Sequence, residues 1–267
     1  MGLYDATISS VSGLTGFSSH LNTIGQNVAN VGTVGYKRQQ SVFQTMINQP
    51  NWSQPAAGGV TMKATTAIQT QGNLQTTTSS TDLAVSGNGF FVVSDAAGKQ
   101  YLTRSGSFVP DANGNLVNAN GFYLMSYGAS GAQSGDSLSG MQMVNVGAAA
   151  SGTVTVGSNG ALSYQNASGA TLTPYHIPLA NVIAPQNLQQ ESGNVFSLTT
   201  AAGTPTVAPP GSGALGTIGS NTLEQSTVDV ATELSNMISA QYGYRSNGQA
   251  LKASTDMMKT LVDLKIA

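Results

Sequence analysis

The chain has 267 residues, of which 7% are charged, with nine Lys and Arg, eleven Asp and Glu, two His and no Cys. The roughly 25% charge usual for a soluble domain is missing, and a net charge of −2 leaves no basic excess to neutralise phosphates, which argues against nucleic-acid binding. Without Cys there are no disulfides, thiolate metal sites or thiol nucleophiles, and a surface so poor in charge suits a subunit covered by copies of itself.

The opening MGLYDATISS lacks a basic start, a continuous apolar stretch and a small-residue cleavage site, so it does not read as a classical signal peptide. No run approaches the ~18 apolar residues of a membrane span. Export, if it occurs, is expected to take another route, without membrane insertion. Leu14, Phe17, Leu21, Ile24 and Val28 then recur at helical steps, the apolar seam of a coiled coil. The helix is predicted to end near residues 29–31, where Asn30 and Gly32 are C-terminal punctuation. His20 lies off the seam and reads as a solvent or interface residue.

From about Val60 to Leu223 the chain is β-rich. The runs LAVSGNGFFVVS (Leu83–Ser94), QYLTRSGSFV (Gln100–Val109), GFYLMSY (Gly121–Tyr127), GTVTVG (Gly152–Gly157) and GALSYQ (Gly160–Gln165) are short, rich in β-branched and aromatic residues, and separated by Gly- and Asn-bearing turns. That pattern predicts an all-β sandwich or barrel-like module. Residues 128–139 are a candidate loop, and 128–174 a candidate small outer insertion. Pro209–Asn221, PPGSGALGTIGSN, has the composition of a linker.

After it, Val230, Leu234, Met237, Tyr244, Leu251, Met258 and Val262 fall on one stripe. A helix from about Val228 to Leu264 would be roughly 55 Å long, which points to an extended assembly. The predicted fold is therefore mainly β with long terminal α-helices. Those helices are expected to pair as a coiled coil around a central β-domain, because one striped helix cannot bury its own stripe. The expected boundaries are 1–31 for the first helix, 32–75 for a connecting segment, 76–222 for the β-domain and 223–267 for the second helix. If the paired helices also meet neighbouring subunits through heterologous contacts, an open polymer follows.

The same residues give no expectation of a catalytic, metal or cofactor site. His20 and His176 are far apart and have no Cys beside them, against a structural zinc site. DANGNLVNANGF (Asp111–Phe122) resembles a calcium loop at Asp111, Asn113 and Asn115 but has Leu116 where Gly is needed and Phe122 where a bidentate Glu is needed. Gly87-x-Gly89 has no third Gly opening a helix, against a dinucleotide site. Asp82, Asp95 and Asp111 sit in separate turns and give no support for a glycosidase pair.

The stretch NVANVGTVGYKRQQSVF (Asn27–Phe43) resembles a signature near the amino terminus of bacterial flagellar rod and hook proteins, matching it at Asn27, Ala29, Asn30, Thr33, Gly35, Tyr36 and Lys37. STDLAVSGNGFFVV (Ser80–Val93) with YLTRSGSFVPDANGNLVNANGF (Tyr101–Phe122) is similar to that family's β-domain. The segment from Leu223 to Lys265 is similar to its carboxy-terminal helix. The resemblance implies a non-enzymatic subunit of the hook–basal body that polymerises into a helical tube, its paired terminal helices surrounding the export channel. It also implies export without a cleaved signal, torque transmission, and partners that include copies of itself, neighbouring rod, hook and hook–filament junction proteins, the export apparatus and an assembly cap. The signature is then a turn where Gly32 and Gly35 supply unusual backbone angles and Asn and Thr side chains satisfy freed backbone groups. The hook protein is favoured over the distal or proximal rod protein, although the length is closer to that of the distal rod proteins. A secreted oligomeric β-domain adhesin is the competing reading from another class.

Overall fold

The computed structural model describes residues 3–47, 57–128, 138–147, 154–165 and 171–266. It resolves into two units, one of Met1–Val31, Arg38–Ala67 and Val228–Ala267, the other of Gly32–Lys37 and Ile68–Thr227.

The first unit holds both long helices. Helix α1 spans Leu3–Ala29 and α2 spans Val230–Ile266, 37 residues. Asp229 starts α2, its carboxylate accepting the Ala231 N–H at 3.2 Å and the Thr232 hydroxyl at 2.6 Å, the usual work of an acidic N-cap. The helices pack antiparallel on each other: a Cβ on Gly13 would lie 2.5 Å from Asn247, and one on Gly243 would lie 2.4 Å from the Phe17 ring. Gly243 is thus a place where only a hydrogen fits, and the helix axes approach closely because of it. Strands β1 (Gln39–Ile47) and β2 (Ala57–Thr66) form an antiparallel hairpin with Gln39 opposite Thr66 and Thr45 opposite Val60. This hairpin lies inside the stretch read from sequence as connecting. It rests on α1: the Phe17 and Phe43 rings are 5.3 Å apart, and the Val60 N–H donates to Ser12 Oγ at 3.1 Å.

The second unit is the β-domain. Strands β3 (Leu74–Thr76) and β4 (Leu83–Ser86) pair with Thr222–Glu224 and Thr217–Ser220 respectively. The predicted strand Leu83–Ser94 is in fact two, β4 and β5 (Phe91–Ser94), divided where Gly87 and Gly89 adopt φ of 103° and 122°. Next to β5 lies β6 (Gln100–Thr103). They are central in an antiparallel sheet that continues through Val195–Ser197 and Gln189–Glu191 beyond β6, and through Tyr123–Ser126, Leu116–Val117 and Val109–Pro110 beyond β5. Along β5 and the residue before it, Phe91 and Val93 enter one core with Leu83, Phe108 and Ile177, while Phe90 and Val92 enter another with Leu102, Phe196 and Val207. Both faces are covered, so FFVV is a continuous apolar run instead of an alternating one. The described parts of 128–174 feed the first core through Val144, Val146, Val154, Val156 and Leu162.

The stretch Pro209–Asn221, expected to be a linker, is corrected by the fold. Ile218 is 2% exposed, and Thr217–Ser220 completes a ladder with β4. The small residues that resemble a linker are there because a Cβ on Gly216 would lie 2.0 Å from the Ser86 carbonyl oxygen. Most of the candidate loop 128–139 lies outside the described residues. Among the described residues no helix is long and apolar enough to cross a membrane.

Candidate functional site

The signature residues divide between the two units. In the first, Asn27 is 1% exposed and binds the backbone of Gln39 twice, accepting its N–H at 2.9 Å and donating to its carbonyl at 2.8 Å. One side chain thereby closes the end of α1 onto the start of β1, which is why a short amide with both a donor and an acceptor is needed there. Asn30 turns back to the Gln26 carbonyl at 2.8 Å, and Ala29 is exposed.

In the second unit, the Thr33 carbonyl accepts the Tyr36 N–H at 3.2 Å, and Gly35 sits at φ 68°. A Cβ on Gly35 would be 2.6 Å from the Ser105 nitrogen, so both conformation and space demand glycine. Gly32 keeps ordinary backbone angles; the expectation that it shares this task is corrected, since one left-handed residue suffices for the turn. Tyr36 is buried, and its carbonyl accepts the Thr227 N–H at 3.1 Å.

Lys37 ends this segment in a buried ionic knot. Its ammonium donates to Glu224 Oε1 at 2.5 Å and to the Thr70 carbonyl at 2.6 Å, with Lys37 and Glu224 side chains 1% and 0% exposed. The same Oε1 accepts the Gly72 N–H at 2.8 Å, and the Glu224 carbonyl accepts the Gly35 N–H at 2.7 Å. Arg104, 4% exposed, brings Nη1 to 3.6 Å from Glu224 Oε2 and lays its guanidinium 5.1 Å from the centre of the Phe90 ring. Burial pushes the Lys37 ammonium below its ordinary value, opposed by the Glu224 charge and hydrogen bond, with Arg104 adding a smaller push downward. Arg104 is lowered for the same first reason. Desolvation of this kind makes a lone buried ion costly and a partnered one tolerable. The knot ties together Gly35–Lys37, Thr70–Gly72, Arg104 and Glu224, segments far apart in sequence. Arg104 and Glu224 lie within the quoted resemblance blocks, but their pairing left no mark in the sequence. The clue available was scarcity, since a chain with 7% charged residues that places charges in strand-like contexts has a structural use for them.

The predicted helix seam is distributed unevenly in the first unit. Ile24 is buried, and Leu14, Phe17, Leu21, Val28, Met237, Leu251 and Met258 are half-buried. Val230, Leu234, Tyr244 and Val262 are 38%, 47%, 44% and 57% exposed. Ile238, Tyr242, Met257 and Leu261 are exposed as well. The face that α2 buries instead carries Glu233, Ala240 and Ser254. Glu233 pairs with Arg38. His20 is half-buried with its ring edge-on to Phe43, 5.7 Å between centres, and desolvation holds its pKa below the ordinary 6.5. In the turn from Asp111, that half-buried carboxylate accepts the backbone N–H groups of Asn115 and Asn113, both at 2.8 Å, and these bonds, Asn115 first, lower its pKa. Such an Asx turn accounts for the loop without a metal. Among the described residues no cluster of three or more His, Asp or Glu is placed to hold a metal ion.

Residues 9–37 match the family described as flagella basal body rod protein, 84–164 the flagellar hook protein FlgE/F/G D1 domain, and 220–264 the flagellar basal body rod FlgEFG protein C-terminal region. Each matched segment supplies one member of the ionic knot: Lys37, Arg104 and Glu224. The flagellar hook protein FlgE of Brucella suis is 28% identical over 395 aligned positions, covering 99% of this chain and all of that protein. Its counterpart in Rhizobium meliloti is 29% identical over 406 positions, with 99% of this chain and all of that protein covered. The flagellar basal-body rod protein FlgG of Bacillus subtilis is 31% identical over 271 positions, covering 96% of this chain and 97% of that protein.

Proposed function

We propose, on the premise that this chain belongs to the family of flagellar hook and rod proteins, that it is a hook-type axial subunit: a structural, non-enzymatic protein that builds a helical tube around the export channel and carries motor torque. Its place is the hook–basal body, among copies of itself and neighbouring axial proteins. The observation that carries the reading is the exposed apolar surface of α2. Leu234, Ile238, Leu261 and Val262 are 47%, 55%, 59% and 57% exposed on a single 37-residue helix. Burying such side chains is worth ~1.5–3 kcal/mol each, and in an open tube sister helices supply that burial. Pairing of the seams as a coiled coil belongs to the assembled tube. Leu14, Phe17, Leu21, Ile24 and Val28 act on the α1 side, and Val230, Leu234, Met237, Tyr244, Leu251, Met258 and Val262 on the other.

The knot supports the mechanical part. It joins Lys37, Thr70, Gly72 and Glu224, all on the β-domain side of the chain's passages at Lys37–Arg38, Ala67–Ile68 and Thr227–Val228, so strain passed along the chain meets a braced segment. The hook assignment is favoured because hook relatives align over their entire length and over 99% of this chain. A rod subunit is the second reading, favoured by length, since the rod relative aligns over 271 positions, whereas the hook relatives need 395 or more. Passage through the flagellar export apparatus and placement by an assembly cap complete the proposal.

Leu234→Asp and Leu261→Asp test it. Both side chains are exposed in the monomer, so circular dichroism and melting of the monomer should be unchanged, while fibres in negative stain disappear. Normal fibres from both variants would contradict the proposal, and a closed oligomer of fixed size from the unaltered chain would favour the adhesin reading. Immunogold on purified basal bodies separates hook from rod, by label outside or inside the outer membrane.

A further inference from the structure

The ionic knot holds two cations, Lys37 and Arg104, and one carboxylate, Glu224. Lys37 and the Gly72 N–H both use Oε1 of that carboxylate. Arg104 is left at 3.6 Å from Oε2, beyond a hydrogen bond. Its Nε and Nη1 meet no acceptor among the described residues, although the side chain is 4% exposed. Phe90 covers one face of the guanidinium, and Nε and Nη1, which belong to different edges of the planar fork with which arginine binds carboxylates, are both left without an acceptor. A buried cluster with one positive charge in excess is unfavourable unless an anion reaches it.

Arg104 lines a cleft of about 400 Å3 whose walls also include Gln69, Asn88, Phe90, Asn181 and Ile183. The amides are hydrogen-bonding groups that suit a carboxylate, and Ile183, 83% exposed, is an apolar contact at the same cleft. All of these residues belong to the β-domain. We infer that this cleft is a carboxylate-binding site occupied by an acidic side chain from a second copy of the chain, so that Arg104 is completed only when subunits join. A second copy is the occupant because charge complementarity favours it: the chain has eleven acidic residues and a net charge of −2, and Asp5, Asp229, Asp256 and Asp263 are exposed. The inference rests on the polymer reading above.

Asn88→Asp places a carboxylate in the cleft within the same molecule. It should satisfy Arg104 and raise the melting temperature of the monomer by about 2–4 °C, while repelling the incoming acid and raising the critical concentration for fibres by roughly tenfold. The opposite signs separate this from a folding defect, which would lower both stability and assembly. In a parallel measurement, sodium acetate at the ionic strength of a sodium chloride control should raise the melting temperature of the unaltered monomer and slow its polymerisation. Asn88→Asp fibres at the unaltered critical concentration, or identical effects of acetate and chloride, would overturn the site while leaving the polymer reading intact. Failure of the unaltered chain to form fibres would overturn both.

Discussion

Glu224→Gln tests the knot most directly, because it removes the carboxylate and keeps the shape. Glu224 is fully buried, and its Oε1 serves the Lys37 ammonium at 2.5 Å and the Gly72 N–H at 2.8 Å. A glutamine oxygen can still accept from both, so the hydrogen bonds weaken but are not erased. What is lost is the charge that offsets two buried cations. Removing one partner of a buried pair costs about 3–5 kcal/mol, and the retained hydrogen bonds place this variant near the lower end. Against a typical stability of about 5–15 kcal/mol, a loss near 3 kcal/mol is large and corresponds to roughly 6–12 °C in melting temperature. Urea unfolding of the monomer, followed by circular dichroism below the fibre-forming concentration, measures it. Lys37→Met and the double variant complete the cycle. Because Lys37 and Glu224 touch, their effects should fall short of additivity by about 1–3 kcal/mol. A Glu224→Gln loss below about 1 kcal/mol, or full additivity with Lys37→Met, would refute the claim that this charge holds the segments of the knot together.

Gly243→Ala pits two effects against each other. Alanine gains about 1 kcal/mol of helix propensity over glycine, but its Cβ would sit 2.4 Å from the Phe17 ring. Overpacking costs about 1–3 kcal/mol, so net destabilisation is expected, partly restored by Phe17→Leu; a more stable variant would show that the helices do not need this contact. His20 gives a pH test. Its folded pKa lies below 6.5 because burial disfavours the imidazolium, so its contribution is complete above about pH 6.5 and is lost as pH falls through the lower folded value. His20→Gln should flatten that part of the stability curve, and an unchanged acid limb in urea titrations at several pH values would remove His20 from the account.

The sequence by itself determined the two long helices and many of the β-domain strands, in their order. Helical spacing from Leu14 to Val28 and from Val230 to Val262 appears as α1 and α2, and the FFVV, YLT and YLMS runs appear as strands, because backbone periodicity is a local property. The signature likewise disclosed that Asn27 and Gly35 were needed, since amide capping and a left-handed turn are matters of a few residues. Only the tertiary structure decided which faces meet. The closest helix approach runs through Gly13 and Gly243, which carry no apolar signal, while Leu234 and Val262 on the apolar stripe stay exposed. Pro209–Asn221 looked like a linker because strand pairing with β4 demands the same small residues that flexibility does. The pairing of Lys37 with Glu224 spans 187 residues, and no local pattern records which charge will be buried beside which. Electrostatic partners are chosen by where the chain returns, and that is a property of the folded molecule alone.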